Sequence, residues 1–163
     1  WADPAAGARM STHTATIDWQ RGDADFAGGR YSRRHQWRFD GGMVVAASPS
    51  PHVVPAPWSD ASAVDPEEAY VAAIASCHML WFLSLAAERG HVVESYSDEA
   101  VGTMARIAPG RQAITEVVLH PRIVFAAGDK ADAAAIEALH EAAHERCFIA
   151  NSVKTAIRVE SPA

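Results

Sequence analysis

The sequence predicts an α+β fold: antiparallel sheets arranged around one long, buried central helix. Three observations predict it. Residues 65–90 read as a single helix with marked ends. The stretches on either side alternate polar and apolar residues, as half-buried strands do. A second helical stretch, about 131–147, precedes a last alternating segment, so the order is strands, helix, strands, helix, strand.

Taken in order, residues 13–19 alternate through Thr14, Ala15, Thr16, Ile17, Asp18 and Trp19 and predict a first strand. Residues 30–39 predict a second, with Tyr31, Arg33, His35, Trp37 and Phe39 on one side and Ser32, Arg34, Gln36 and Arg38 on the other. Asp40-Gly41-Gly42 is a hairpin signal ahead of a third short strand at 43–47. Residues 48–64 hold Pro49, Pro51, Pro55 and Pro57, which excludes a helix and predicts an extended loop. Loops of that length in a compact domain are usually functional or wrap a partner.

The central helix opens at Asp65, a good N-cap. Pro66 suits the first helical position, and Glu68 can return a bond to Asp65. It should run to Arg89 and stop at Gly90, a length of roughly 35 Å. From Tyr70 to Ala87 it is apolar nearly all round. A membrane span needs about 20 such residues, so the better reading is a helix buried on all sides. One small domain rarely encloses such a helix, which leads to the expectation of a homodimer.

Residues 92–106 and 113–125 predict two strands joined at Pro109-Gly110, and Gly128-Asp129 opens the second helix. Ile136, Leu139, Ala143 and Cys147 share one face of it, so Cys147 should point inward. Residues 153–159 predict the closing strand. His140 and His144 read as surface or rim residues.

The 163 residues are 49% hydrophobic and 21% charged, with a net charge of −6. That fits one domain, set at 10–163, with residues 1–9 read as a tag remnant or disordered leader before Met10. The negative charge argues against nucleic-acid and anionic-membrane partners. The first thirty residues hold no continuous apolar run, so the expected location is cytoplasmic, where thiols stay reduced unless catalytic or redox-sensing.

Cys77 and Cys147 are the only cysteines. If they meet, one can attack a substrate and the other can resolve the product as a disulfide; if they do not, they are two buried small residues. A working nucleophile needs a cation beside it. No arginine near Cys77 in sequence can serve, so the candidates are Arg30, Arg33, Arg34 and Arg38.

Three segments carry a family resemblance. Asp65-Pro66-Glu67-Glu68-Ala69 followed by Ala75-Ser76-Cys77-His78 resembles the first-cysteine helix of the OsmC/Ohr proteins, thiol-dependent organic hydroperoxide reductases. Ala143-His144-Glu145-Arg146-Cys147, with Asn151-Ser152 after it, resembles their second-cysteine helix. Trp37-Arg38-Phe39-Asp40-Gly41-Gly42 resembles their arginine-bearing strand and turn.

The resemblance implies an intertwined homodimer. Cys77 would be the peroxidatic cysteine, Cys147 the resolving one, Arg38 the thiolate-stabilising arginine and Glu67 the acid holding that arginine. It implies reduction of alkyl or lipid hydroperoxides, no bound cofactor, and an external dithiol or lipoyl-type reductant. His78, Trp81, Phe82 and Phe148 are the expected pocket residues. Phe148 stands where the family commonly has proline. Two other readings compete. One is a non-catalytic dimeric binding or structural protein with inert thiols. The other is a zinc site drawn from Cys77, His78, His144 and Cys147, which adjacent helical residues about 100° apart disfavour; no metal is expected.

Overall fold

The computed structural model describes residues 10–160; the expected leader at 1–9 lies outside the described residues, as do 161–163. The chain forms two compact units, one ending at Ala69 and the other beginning at Tyr70.

The first unit is built on a three-stranded antiparallel sheet in the order β1 (Ala15–Asp18), β2 (His35–Phe39), β3 (Val44–Ala47). Ile17 pairs with Trp37, and Trp37 with Val45. The hairpin falls where Asp40-Gly41-Gly42 predicts it. The Phe39 N–H donates to Met43 O at 3.0 Å, and Gly42 takes φ +86°, which a side chain would resist. The second strand begins at His35 rather than at residue 30. Residues 25–30 instead close a turn, with the Gly28 N–H donating to Asp25 Oδ1 and the Arg30 N–H to Asp25 O. Backbone groups spent on a turn cannot join a ladder.

The proline-rich segment forms no helix, as expected, but it is a run of turns rather than an extended loop. The Val53 and Val54 N–H groups donate to Ser50 O, the Trp58 N–H to Pro55 O and the Ala63 N–H to Asp60 O. The segment is also tied to its own unit. Buried Ser48 donates its N–H to Val64 O and accepts from the Asp60 N–H at 2.8 Å. The Arg33 N–H donates to Trp58 O at 2.9 Å, and the Arg34 guanidinium meets Asp60 at 2.9 Å.

Helix α1 (Pro66–Glu88) carries the predicted caps. The Glu68 N–H donates to Asp65 Oδ1 at 2.7 Å, and the Asp65 N–H to Glu68 Oε2 at 3.1 Å, a reciprocal capping box. At the other end the His91 N–H reaches Ala86 O and the Gly90 N–H reaches Ala87 O, with Gly90 at φ +81°. That is a Schellman stop, and it needs glycine. The expectation of burial on all sides is not met within the chain. Ile74, His78, Phe82, Leu85 and Ala86 form one buried stripe, while Leu80 on another face is 46% exposed. A uniformly apolar sequence hides which face a single chain covers.

The two long strands expected at 92–106 and 113–125 are each broken in two. The second unit holds β4 (Val93–Asp98), β5 (Val101–Ala108), β6 (Arg111–Leu119) and β7 (Pro121–Phe125). β4 pairs with β7, and β5 with β6, so each long ribbon passes from one sheet to another. The corner is made by side chains: the His120 N–H donates to Asp98 Oδ1 at 2.7 Å, and Pro121, which has no N–H, starts the next strand. The sheet β5–β6–β8 is mixed, because β8 (Ala156–Val159) lies parallel to β6. Helix α2 (Ala133–Arg146) begins later than Gly128-Asp129, since Asp132 is the N-cap and Asp129 is spent on His91 and the Val92 N–H.

Two apolar clusters hold this unit together. One joins Phe82, Leu85 and Ala86 of α1 to Leu139 and Ala143 of α2, and the other joins Ile74 to Val117 and Leu119 of β6. β5 approaches α1 closely at Gly102, where an added Cβ would stand 2.5 Å from a methyl of Val71. Valine is stiff at χ1 and cannot swing aside. Gly102→Ala should therefore destabilise the protein by about 1–3 kcal/mol, read as a lower urea midpoint with unchanged slope. An unchanged midpoint would refute the close approach.

Candidate thiol site

Cys77 lies midway along α1 and is half-buried; Cys147 ends α2 as its C-cap and is 1% exposed. Both are free thiols, and their side chains lie close enough to interact. Burial pushes the Cys147 thiol up to about 11, and the neighbouring Cys77 pushes it the same way. Cys147 therefore keeps its proton at neutral pH, and Cys77 is the more accessible of the two. A nucleophile must reach its substrate, and of the two sulfurs the less buried Cys77 is the one open to it.

The turn after α2 fixes Cys147. The Ala150 N–H donates to its Sγ at 3.4 Å, and the Asn151 side chain donates to Glu145 O at 2.9 Å and Cys147 O at 3.0 Å. These bonds satisfy carbonyls that the helix end leaves open. Asn151→Ala should cost about 1 kcal/mol, detectable by thermal melting as a Tm several degrees lower. No shift would mean that the turn holds without its side chain.

The expected pocket residues separate into two groups. His78 is 1% exposed and Phe82 is fully buried, so both belong to the core. Trp81 and Phe148 meet edge to face at 5.5 Å, and Phe148 is 63% exposed. Those two remain as an apolar surface close in sequence to the thiols. Arg146 lies over the Trp81 ring at 5.8 Å and meets Glu88 at 3.7 Å.

Arg38 and Glu67 belong to the first unit. Arg38, opposite Thr16 in the β1–β2 ladder, forms an ion pair with Asp18 at 2.7 Å, with its side chain 53% exposed. Glu67 is half-buried in the first turn of α1.

His140 is not a rim residue. It is 6% exposed, and its Nδ1 lies 3.0 Å from His78 Nε2, with the rings nearly parallel and Phe82 packed against His140. The signal was available: His140 stands four residues after Ile136 and three before Ala143, on the widened apolar stripe of the helix. Burial holds both rings down near 4, and the neighbouring His144 and His140 lower His78 further by repulsion. The four ligands considered for zinc do not assemble: among the described residues, no group of three or more His, Cys, Asp or Glu side chains is placed to hold a metal ion.

A two-helix α+β chain with a thiol pair on facing helices defines a class. The OsmC-like protein family matches residues 59–161, and the chain belongs to it. An OsmC-like protein of unknown function from Vibrio cholerae is 50% identical, covering 94% of this chain and 100% of that one, with a TM-score of 0.90. An organic hydroperoxide resistance protein OsmC from Legionella pneumophila shares the fold at 16% identity, covering 96% and 100% of the two chains, with a TM-score of 0.72. So does an organic hydroperoxide resistance protein from Elizabethkingia anophelis, at 18% identity, 94% and 95% coverage, and a TM-score of 0.68. No curated protein matches the chain.

Proposed function

We propose that the protein is a thiol peroxidase that reduces organic hydroperoxides to alcohols. The observation that carries this reading is the contact between an accessible Cys77 and a buried, protonated Cys147. Family membership and the names of the Legionella and Elizabethkingia structures agree with it.

In the proposed reaction the Cys77 thiolate attacks the distal peroxide oxygen. An S–O bond forms, the O–O bond breaks, and the alkoxide takes a proton to leave as the alcohol. Cys77 is then a sulfenic acid, oxidised by two electrons. The Cys147 sulfur displaces its oxygen, which departs as water with the Cys147 proton, leaving a Cys77–Cys147 disulfide. An external dithiol of the lipoyl type returns the two electrons by exchange. The Trp81 and Phe148 surface favours an alkyl substrate over hydrogen peroxide.

Arg38 and Glu67 are assigned the thiolate-stabilising roles by resemblance. Arg38→Met and Glu67→Gln should each lower kcat/KM by about tenfold or more without changing the melting temperature. Unaltered kinetics would remove them from the site.

A homodimer is part of the proposal. Its support is the open apolar flank of α1, with Leu80 46% exposed on a helix that is apolar nearly all round from Tyr70 to Ala87. Light scattering giving the mass of one chain would sink it.

The deciding experiment treats reduced protein with one equivalent of cumene hydroperoxide, then counts thiols and maps peptides. The expected result is loss of both thiols and a Cys77–Cys147 peptide. Two thiols that survive intact would instead support a non-catalytic binding protein that keeps the fold.

A further inference from the structure

The first unit contains an apolar cavity of about 570 Å³, within the size range of small-ligand sites. Trp19, Phe26 and Tyr31 form its aromatic wall. Their rings meet at centroid distances of 5.7, 5.5 and 4.6 Å, and Ile17 extends the wall. Phe26 is 51% and Ile17 58% exposed. Apolar groups left open around a concavity mark a binding surface rather than a core.

The polarity of this cavity is one-sided. No acidic residue lines it, in a chain whose net charge is −6. Its one cationic side chain is Arg33, stacked over the Tyr31 ring at 4.0 Å. His35, the other nitrogen-bearing ring of the wall besides Trp19, has both ring nitrogens engaged, Nε2 accepting from Trp37 Nε1 and Nδ1 bonded to Arg33 O, each at 2.9 Å.

Arg33 differs from its neighbours. Arg30 pairs with Asp25, Arg34 with Asp60 and Arg38 with Asp18. Among the described residues Arg33 has no carboxylate partner. Only its Nη1 is engaged, with Tyr31 O at 2.9 Å and Gly29 O at 3.3 Å. Those bonds and the ring beneath fix the plane of the guanidinium while the rest of its donor fork stays uncommitted. A fixed fork is suited to a carboxylate.

We propose that this cavity binds an organic carboxylate, with its apolar body against Trp19, Phe26 and Tyr31 and its carboxylate on Arg33.

The test is calorimetric titration of octanoate and of octanol into the full chain carrying Cys77→Ser, so that failure of the peroxidase reading cannot affect it. Octanoate should bind about tenfold more tightly than octanol or better, as one charge-assisted pair predicts. Arg33→Gln should erase that preference while leaving octanol affinity in place, and Arg33→Lys should retain part of it. Circular dichroism checks that each variant is folded. Equal affinities in the parent chain, or a preference that survives Arg33→Gln, would overturn the proposal. So would the absence of saturable octanoate binding, the result expected if a second copy of the chain covers this face.

Discussion

Cys77→Ser is expected to abolish hydroperoxide turnover, lowering kcat by at least about a thousandfold, the scale on which loss of a nucleophile acts. A serine hydroxyl stays protonated at neutral pH and cannot take the oxygen. Cys147→Ser should behave differently. Its partner sulfur is still open, so one peroxide is still reduced per chain, and the product is a Cys77 sulfenic acid that passes to sulfinic acid with excess oxidant. Intact mass separates the two variants: no added oxygen on the first, one and then two on the second. Turnover that survives in Cys77→Ser would reject the mechanism. Equal oxidation of Cys77 and Cys147 in single turnover would reject the assignment of roles, because burial and retained protonation of Cys147 are what set them apart.

Acid should weaken the fold through the His78–His140 pair. Both rings sit near 4 in the folded chain against an ordinary value of 6.5, chiefly because burial opposes their charged forms. Between those values the unfolded chain binds protons that the folded chain refuses. Stability is therefore full above about pH 6.5 and declines as pH falls toward 4. At about 1.4 kcal/mol per pKa unit, each ring could account for up to about 3 kcal/mol. The pair shares one hydrogen bond, so at least one of the two facing nitrogens carries no proton, and both rings cannot be doubly protonated in place. His144, exposed on α2, opposes the charging of His78 further by coulombic repulsion. Urea midpoints between about pH 7 and 4.5 should fall steadily. Replacing both rings in His78→Phe/His140→Phe removes donor and acceptor together, so the neutral-pH cost should be small and the acid slope should flatten. A slope unchanged in the double variant would place the acid sensitivity elsewhere.

The ends of α1 are set by the sequence itself, because a capping box and a glycine stop are local devices whose partners lie within five residues. The alternation of the strands is equally local, as is the inward face of α2 that carries Cys147. These features, with the two cysteine helices, were enough to point to the OsmC-like class. The break of each long ribbon was not readable, because the corner depends on Asp98 meeting the His120 N–H across 22 residues. The burial of His140 was legible in its spacing, but its partner His78 stands 62 residues away. The four arginines look alike in the sequence. Only the fold gives Arg30, Arg34 and Arg38 an aspartate each and, among the described residues, leaves Arg33 in an apolar cavity without one. Sequence determines what a residue can do through its own chemistry and its neighbours on one element. Tertiary structure decides what faces it, and here it sets a buried, protonated Cys147 beside the more accessible Cys77.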